Sequence, residues 1–182
     1  MLELNFCPFP EITTGRLLLR RMTQQDTGGL FFLRSDEHIM KYIDRPRASS
    51  LKDAEEFLGL IDKSLEASDG ITWGITISEN PGKLIGYIGY WRMKKEHYRA
   101  EIGYALNPAF WKKGIMKEAI LAVVGYGFDV MHLHSIEANI NPGNAASAGV
   151  LEATGFIKEA YFKEDFFFDG TFRDTIIYSR LK

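Results

Sequence analysis

Residues 101–119 read EIGYALNPAFWKKGIMKEA, and the predicted architecture follows mainly from them. Residues 99–106 (RAEIGYAL) predict a β-strand that stops at Asn107-Pro108, because proline lacks an amide hydrogen and forces the preceding residue to be extended. A short loop follows, and apolar residues then recur at helical spacing from Gly114 to about Met131. The stretch therefore predicts a strand, a loop and the N-terminus of a long helix.

Such a loop can bind an anion. Its backbone N–H groups point in one direction beside the positive end of the helix dipole, which suits phosphate without particular side chains. Gly114 permits close approach of the backbone, and Lys112, Lys113 and Lys117 add positive charge. An ordinary connection with solvated lysines explains this segment equally well.

A second segment, NPGNAAS at 141–147, lies between a predicted strand at 135–139 and a predicted helix at 144–154 that Gly155 closes. Asn144 is well placed as an N-cap, and Ser147 falls in the first turn of the helix. Two strand ends, each followed by a helix N-terminus, predict a cleft with converging hydrogen-bond donors.

The remaining elements follow from local patterns. We predict helices at 24–34, where Thr23 caps and Asp26 favours the dipole, and at 51–68, with a helical turn and loop at 39–50 between them. Strands are predicted at 16–21, 71–78, 84–91, 156–168 and 171–179. The resulting order is typical of a mixed α/β (α+β) fold, a largely antiparallel sheet with helices on its faces. We expect one domain over 1–182, with its core at about 12–181.

Composition excludes several classes of protein. The 182 residues are 46% hydrophobic with a formal charge of −2, which disfavours broad binding of nucleic acid but permits a local basic site for an anionic cofactor. No uninterrupted apolar run is long enough to span a membrane, and the N-terminus does not resemble a signal peptide. The single cysteine, Cys7, forms no internal disulfide, so a cytoplasmic location is expected.

These segments together resemble the Gcn5-related N-acetyltransferases (GNAT), and most of all the branch of the ribosomal-protein N-terminal-alanine acetyltransferases. The resemblance is carried by TTGRLLLRRMTQQD, AEIGYALNPAFWKKGIMKEA, INPGNAASAGVLEATGF and FFFDGTFRDTIIYSRL, in the same order as in that branch. The family's loop pattern, Gln/Arg-x-x-Gly-x-Gly/Ala, is kept here only at its central Gly114. The resemblance implies a GNAT-like acyl-CoA N-acyltransferase fold.

It also implies a co-substrate, acetyl-CoA, and no metal. The acyl-CoA site would comprise the end of the strand, the loop and helix start, and the second strand-helix unit: Ala105, Leu106, Trp111, Lys112, Lys113, Gly114, Ile115, Met116, Lys117, Asn139, Asn144 and Ser147.

The family's mechanism implies three catalytic roles. An amine attacks the thioester directly in a ternary complex, and a backbone N–H at the end of GYAL polarises the carbonyl. Glu101 is the candidate base, through a water molecule, and Ser147, or with less support Tyr104, would supply a proton or hydrogen bond to the departing sulfur. Alternatively, Glu101 is a strand carboxylate paired with a neighbour such as Arg99, and Ser147 is an ordinary residue of the first turn.

The acceptor is predicted from acid-base chemistry. An α-amino group titrates near ~8 and a lysine near ~10.4, so a peptide N-terminus asks less of the base. A polyamine or aminoglycoside-like amine remains the alternative. Four acidic residues of the last hairpin either steer a cationic acceptor or simply form the hairpin's solvated face: Glu159, Glu164, Asp165 and Asp169. A non-catalytic acyl-CoA-binding module and a longer acyl group also stay open. We expect no nucleic-acid or membrane partner, and a monomer or homodimer.

Other signals point to structure. The aromatic residues of the last hairpin predict a hairpin core rather than a base-stacking surface, although a dimer contact or the acceptor cleft could also use them: Tyr161, Phe162, Phe166, Phe167, Phe168 and Phe172. Trp73 and Trp91 are expected to pack on the sheet, although they could wall the cleft. His132 and His134 lack companions for a zinc site, and Cys7 has no histidine near it in sequence to make it a nucleophile.

Overall fold

A computed structural model describes residues 1–182 and contains one eight-stranded sheet, in the order β1-β2-β3-β4-β5-β6-β8-β7. The strands are β1 (Ile12–Thr13), β2 (Leu17–Arg20), β3 (Ile71–Ile77), β4 (Gly86–Lys94), β5 (Arg99–Leu106), β6 (Ser135–Ile140), β7 (Ile157–Phe168) and β8 (Thr171–Leu181). All neighbours are antiparallel except β5 and β6. The predicted mixed, mostly antiparallel sheet is confirmed, and the short β1 is the one strand that the sequence patterns missed.

The helices are α1 (Thr27–Ser35), α2 (Glu37–Met40), α3 (Leu51–Glu66), α4 (Ile115–Asp129) and α5 (Ala145–Glu152). They lie on both faces of the sheet, because two separate apolar clusters form. The larger cluster joins α4 and α5 to one face through residues such as Ile120 and Leu151. The smaller cluster joins α1 and α3 to the other face through Leu30 and Leu58.

The start of α1 differs from the prediction. Residues Gln24–Asp26 form a 3₁₀ turn, and the α-helix begins only at Thr27. Asp26 lies in the first turn and completes a capping box with Thr23, as expected, and its carboxylate accepts the Thr23 amide at 2.8 Å. The same carboxylate is buried in a two-bond contact with the Arg20 guanidinium, at 2.8 and 2.7 Å. A buried carboxylate needs such partners.

The C-terminal hairpin β7–β8 corrects the prediction of an aromatic core. β7 is the edge strand of the sheet, and no helix covers it. Five of the six predicted aromatic residues are exposed by 40–64%: Tyr161, Phe162, Phe166, Phe167 and Phe172. Phe168 alone is half-buried.

The two tryptophans pack on the sheet as expected. Trp73 is fully buried, and its indole N–H donates to the Pro10 carbonyl at 2.6 Å.

The side chain of Cys7, the single cysteine, is exposed. The helices are all too short or too polar to cross a membrane.

Candidate active site

A gap opens in the middle of the sheet between β5 and β6. The two strands pair over only three residues each, Arg99–Glu101 with Ser135–Glu137, and both continue beyond that point unpaired with each other. On its other side β5 is fully paired with β4, and the Asn107 amide donates to the Ile85 carbonyl at 2.8 Å. Amide groups alternate sides along an antiparallel strand, so those of Tyr104 and Leu106 point into the gap and that of Ala105 points to β4.

The loop after β5 is held by one side chain and two unusual backbone conformations. The indole N–H of Trp111 donates to the Leu106 carbonyl at 2.7 Å. Lys112 and Gly114 both have left-handed φ values, 58° and 74°, and Gly114 immediately precedes α4. Glycine adopts this conformation without the strain that a Cβ brings, which explains why the sequence has one there.

The start of α4 can hold an anion. The amide hydrogens of residues 112–117 make no backbone hydrogen bond, and no side chain caps this helix N-terminus. Lys112, Lys113 and Lys117 are exposed beside it. Ile115 is buried and the side chain of Met116 packs against the larger apolar cluster, so both leave their amides facing outward. Free amide donors at a dipole's positive end fit the diphosphate of coenzyme A.

The sequence did not predict what fixes this loop from outside. The Arg16 guanidinium donates to the Lys113 carbonyl at 2.9 Å and to the Glu118 carboxylate at 2.7 Å, and Thr14 donates to the same carboxylate at 2.6 Å. Burial raises the pKa of Glu118, but these hydrogen bonds outweigh it and lower the pKa. Since C=O and N–H of a trans peptide point in opposite directions, Arg16 turns the Gly114 amide away from itself. No pattern in the sequence links residues about one hundred positions apart.

Two hydroxyl groups meet on the α5 side of the gap. The Tyr104 hydroxyl lies 2.7 Å from the Ser147 hydroxyl, and Ser147 is buried in the first turn of α5. The Asn144 side chain accepts the Ser147 amide at 3.1 Å, which confirms the predicted N-cap. Burial raises the pKa of Tyr104 far above its ordinary value, so the phenol stays protonated and can donate.

Glu101 lies on the opposite face of β5 from Tyr104, as their odd spacing requires. Its side chain is only 7% exposed, and its Oε2 accepts from Arg92 Nη1 at 3.1 Å. The alternative of a strand carboxylate paired with a neighbouring residue is therefore met, but by Arg92 and not by Arg99, because the Arg99 side chain reaches across to Glu137, with Nε to Oε2 at 2.7 Å. Burial raises the pKa of Glu101, and Arg92 opposes that rise.

Asn139 borders the same gap from β6, two residues after Glu137 and therefore on the same face. Its side-chain Oδ1 is buried and has no hydrogen-bond partner. A buried acceptor without a donor is costly, so a ligand N–H at this place would satisfy it. The amide groups of the cofactor's pantetheine arm have that chemistry.

A cleft of about 510 Å³ lies between the segment 40–47 and the turn of the β7–β8 hairpin, and none of the predicted site residues lines it. Asp44 joins the two walls through Arg173 at 3.4 Å, and Tyr42 lies against Gly143 just after β6. The charged residues of the cleft are four basic and three acidic: Lys41, Arg45, Arg47, Arg173, Glu37, Asp44 and Asp169. Of the hairpin carboxylates expected to steer a cation, only Asp169 lines this cleft.

The site contains no group of three or more His, Cys, Asp or Glu side chains that could hold a metal ion, and His132 and His134 join no such group.

Comparison with known proteins agrees with this arrangement. The acetyltransferase (GNAT) domain family matches residues 16–157. The uncharacterized N-acetyltransferase YoaA of Bacillus subtilis is 34% identical over 96% of this chain and 98% of its own. The [ribosomal protein uS5]-alanine N-acetyltransferase of Escherichia coli is 27% identical over 93% of this chain and 90% of its own.

A solved structure of RimL, a ribosomal L7/L12 alpha-N-protein acetyltransferase in complex with coenzyme A, superposes with a TM-score of 0.85 at 18% identity, covering 94% of this chain and 98% of that one. That likeness shows the same fold. The chain belongs to the GNAT acetyltransferase family and is an acetyl-CoA-dependent N-acetyltransferase.

Proposed function

We propose that this enzyme acetylates the α-amino group of a peptide or protein N-terminus. The observation that carries the proposal is the gap between β5 and β6, with the Tyr104–Ser147 hydroxyl pair on one face and the Glu101 carboxylate on the other. Acetyl-CoA supplies an acyl group already activated as a thioester. The chain's own residues bind, polarise and move protons around it.

Each residue has a distinct role in the proposal. The free amides of residues 112–117 hold the diphosphate, and Asn139 and Asn144 contact the pantetheine arm. The Leu106 amide, directed into the gap, donates to the carbonyl oxygen as negative charge develops there. Glu101 removes the proton of the attacking amine through water, and the Tyr104–Ser147 pair donates to the sulfur as it departs.

Acid-base chemistry favours a peptide N-terminus over a polyamine. An α-ammonium group loses its proton more readily than an alkylammonium group. It therefore needs a weaker base, and Glu101 is a weaker base because it is paired with Arg92. The likeness to a ribosomal-protein alanine N-acetyltransferase supports the same acceptor class.

A free-thiol release assay tests the proposal. Acetyl-CoA is offered with peptides that differ in their first residue, with polyamines and with aminoglycosides, and propionyl-CoA tests the acyl group. We expect thiol release with peptides alone, and release from polyamines alone would overturn the acceptor assignment. Binding of coenzyme A without release from any amine would indicate a non-catalytic module.

The catalytic roles are tested by variants in the same assay. Glu101→Gln should lower kcat by roughly 10²- to 10³-fold, since a positioned base contributes about that much. Ser147→Ala and Tyr104→Phe should each lower kcat with little change in acetyl-CoA binding. Glu96→Gln is the matched control, because that carboxylate is exposed and remote from the gap. Unchanged kcat in Glu101→Gln would remove Glu101 from the mechanism.

A further inference from the structure

We infer that Arg92 is a positioning residue that fixes the Glu101 carboxylate for proton abstraction. A β-bulge in β4 turns the Arg92 side chain toward Glu101. This inference rests on the proposed role of Glu101. It adds a residue that neither the sequence patterns nor the comparison with relatives assigns.

The bulge is seen in the pairing of β4 with β5. Trp91 lies opposite Glu101 and Lys94 lies opposite Arg99, so Arg92 and Met93 together face the single residue Ala100. Arg92 has a left-handed φ of 47°, a conformation that costs energy for any residue with a Cβ.

The bulge decides which face each side chain takes. In a regular strand Arg92 would share the face of Ala100, which is fully buried in the larger apolar cluster. With the bulge, Met93 packs against that cluster instead, and Arg92 turns to the face of Trp91 and Glu101. The backbone therefore adopts an unfavourable conformation and brings a cation to a buried carboxylate.

The surroundings of Glu101 explain why it needs that cation. Its parallel neighbour on β6 is Glu137, another buried carboxylate on the same face, which Arg99 already neutralises. On β4 it faces Trp91 and Arg92. Burial raises the pKa of Glu101, Glu137 adds to the rise, and Arg92 is the charge that opposes it. Without Arg92 the pKa of Glu101 would rise further, so the carboxyl group would stay protonated up to a higher pH and could not accept a proton there.

Arg92 is also suited to leave its partner accessible. Its side chain is 61% exposed, and it contacts one carboxylate oxygen, Oε2, through one nitrogen. The guanidinium makes no hydrogen bond to Oε1. A fully buried two-bond contact, such as Arg20 with Asp26, would occupy both oxygens.

The test is the pH dependence of kcat/KM in Arg92→Gln. Gln is also unbranched, so the left-handed backbone position costs it about as much, and the exposed site tolerates the change. A general base acts only when it is deprotonated. When its pKa rises, the enzyme therefore loses activity at pH values below the new pKa and recovers it above. We expect the acid limb of the profile to move upward by roughly half a pH unit or more, a nearby opposite charge on a partly exposed group being worth about that. Arg92→Lys, which keeps the charge, should restore most of the wild-type profile.

Lys95→Gln is the control, since Lys95 pairs with Asp69 just after the same strand. It should leave the profile in place. An equal loss at every pH in Arg92→Gln, or no loss at all, would overturn the inference. Absence of amine-dependent thiol release in the wild-type enzyme would instead overturn the proposed function, so the two failures are distinguishable.

Discussion

At the scale of single residues, the site depends on contacts between side chains that are distant in sequence. Gly103 shows this well, because the Trp91 ring lies where a Cβ at position 103 would be, with its nearest atom 1.7 Å away. The absence of a side chain at Gly103 lets the ring pack on β5, next to Glu101. The ring thus borders the Glu101 carboxylate while it packs on the sheet.

Gly103→Ala should therefore displace Trp91. We expect a loss of about 1–3 kcal/mol in the free energy of unfolding, measured in urea, because the added methyl group overpacks the site. The value of kcat/KM should also fall as the ring beside Glu101 moves.

Removal of the ring gives the matched test. In a Trp91→Ala background the methyl group has room, so Gly103→Ala should cost little further stability. Additive losses in the double variant would show that the two residues do not interact.

The sequence located residues whose position is set by local signals and missed residues whose position depends on a distant partner, while the catalytic roles stay predictions. Glu101, Ser147, Tyr104 and Asn144 lie at the gap as expected. Arg92 and Arg16 were missed, because a bulge and a contact about one hundred residues away leave no periodic signal.

At the scale of elements, the helices and strands were largely predictable because each has its own apolar periodicity and end signals. Gly155 closes α5 with a left-handed φ of 83°, and Asn144 caps its start. The hairpin β7–β8 was correctly located, but the environment of its aromatic residues was not. Whether a strand face is buried depends on what packs on it, and its own sequence does not record that.

The N-terminus of α4 yields a prediction with an internal control. Gly114→Ala should lower stability by about 1 kcal/mol, because alanine is strained at a left-handed φ. Its Cβ would lie in van der Waals contact with an Arg16 nitrogen, at 3.4 Å, so the strain comes from the left-handed φ alone. Relief of that strain should shift the loop and raise the Kd for coenzyme A.

Gly125→Ala, later in the same helix, is the control. No atom lies within 4 Å of the added Cβ there, so this variant should gain roughly 0.5–1 kcal/mol and bind coenzyme A normally. Urea unfolding and calorimetry measure both variants. Equal affinity of the two variants for coenzyme A would show that the loop conformation at Gly114 does not contribute to cofactor binding.

At the scale of the whole molecule, the sheet consists of two sections, β1–β5 and β6–β8–β7, which meet directly through three residue pairs of β5 and β6. The proposed ligand contacts lie on both sections: Leu106 and the loop on one, Asn139 and α5 on the other. The sequence predicted both strand-helix units but not the width or depth of the space between them, which depends on how the two sections twist.

Coenzyme A should therefore stabilise the whole chain. At a hundred times its Kd, the gain is ~2.7 kcal/mol by mass action, visible as a rise in Tm. Amide hydrogen exchange should slow at residues 104–106 and 138–140, on both edges of the gap.

Pantetheine is the comparison, because it lacks the diphosphate. It should slow exchange at the gap but leave residues 112–117 unprotected. Protection on one strand alone would contradict a ligand that bridges both sections.

The narrow junction between β5 and β6 has a consequence for how this enzyme can change over evolution. Each section is hydrogen-bonded within itself. Substitutions that alter the twist of one section can therefore rotate it relative to the other about the three residue pairs of β5 and β6. The far end of the opening then widens or narrows while every reactive group keeps its own neighbours. The size of the accepted substrate can thus be adjusted by residues that never touch it.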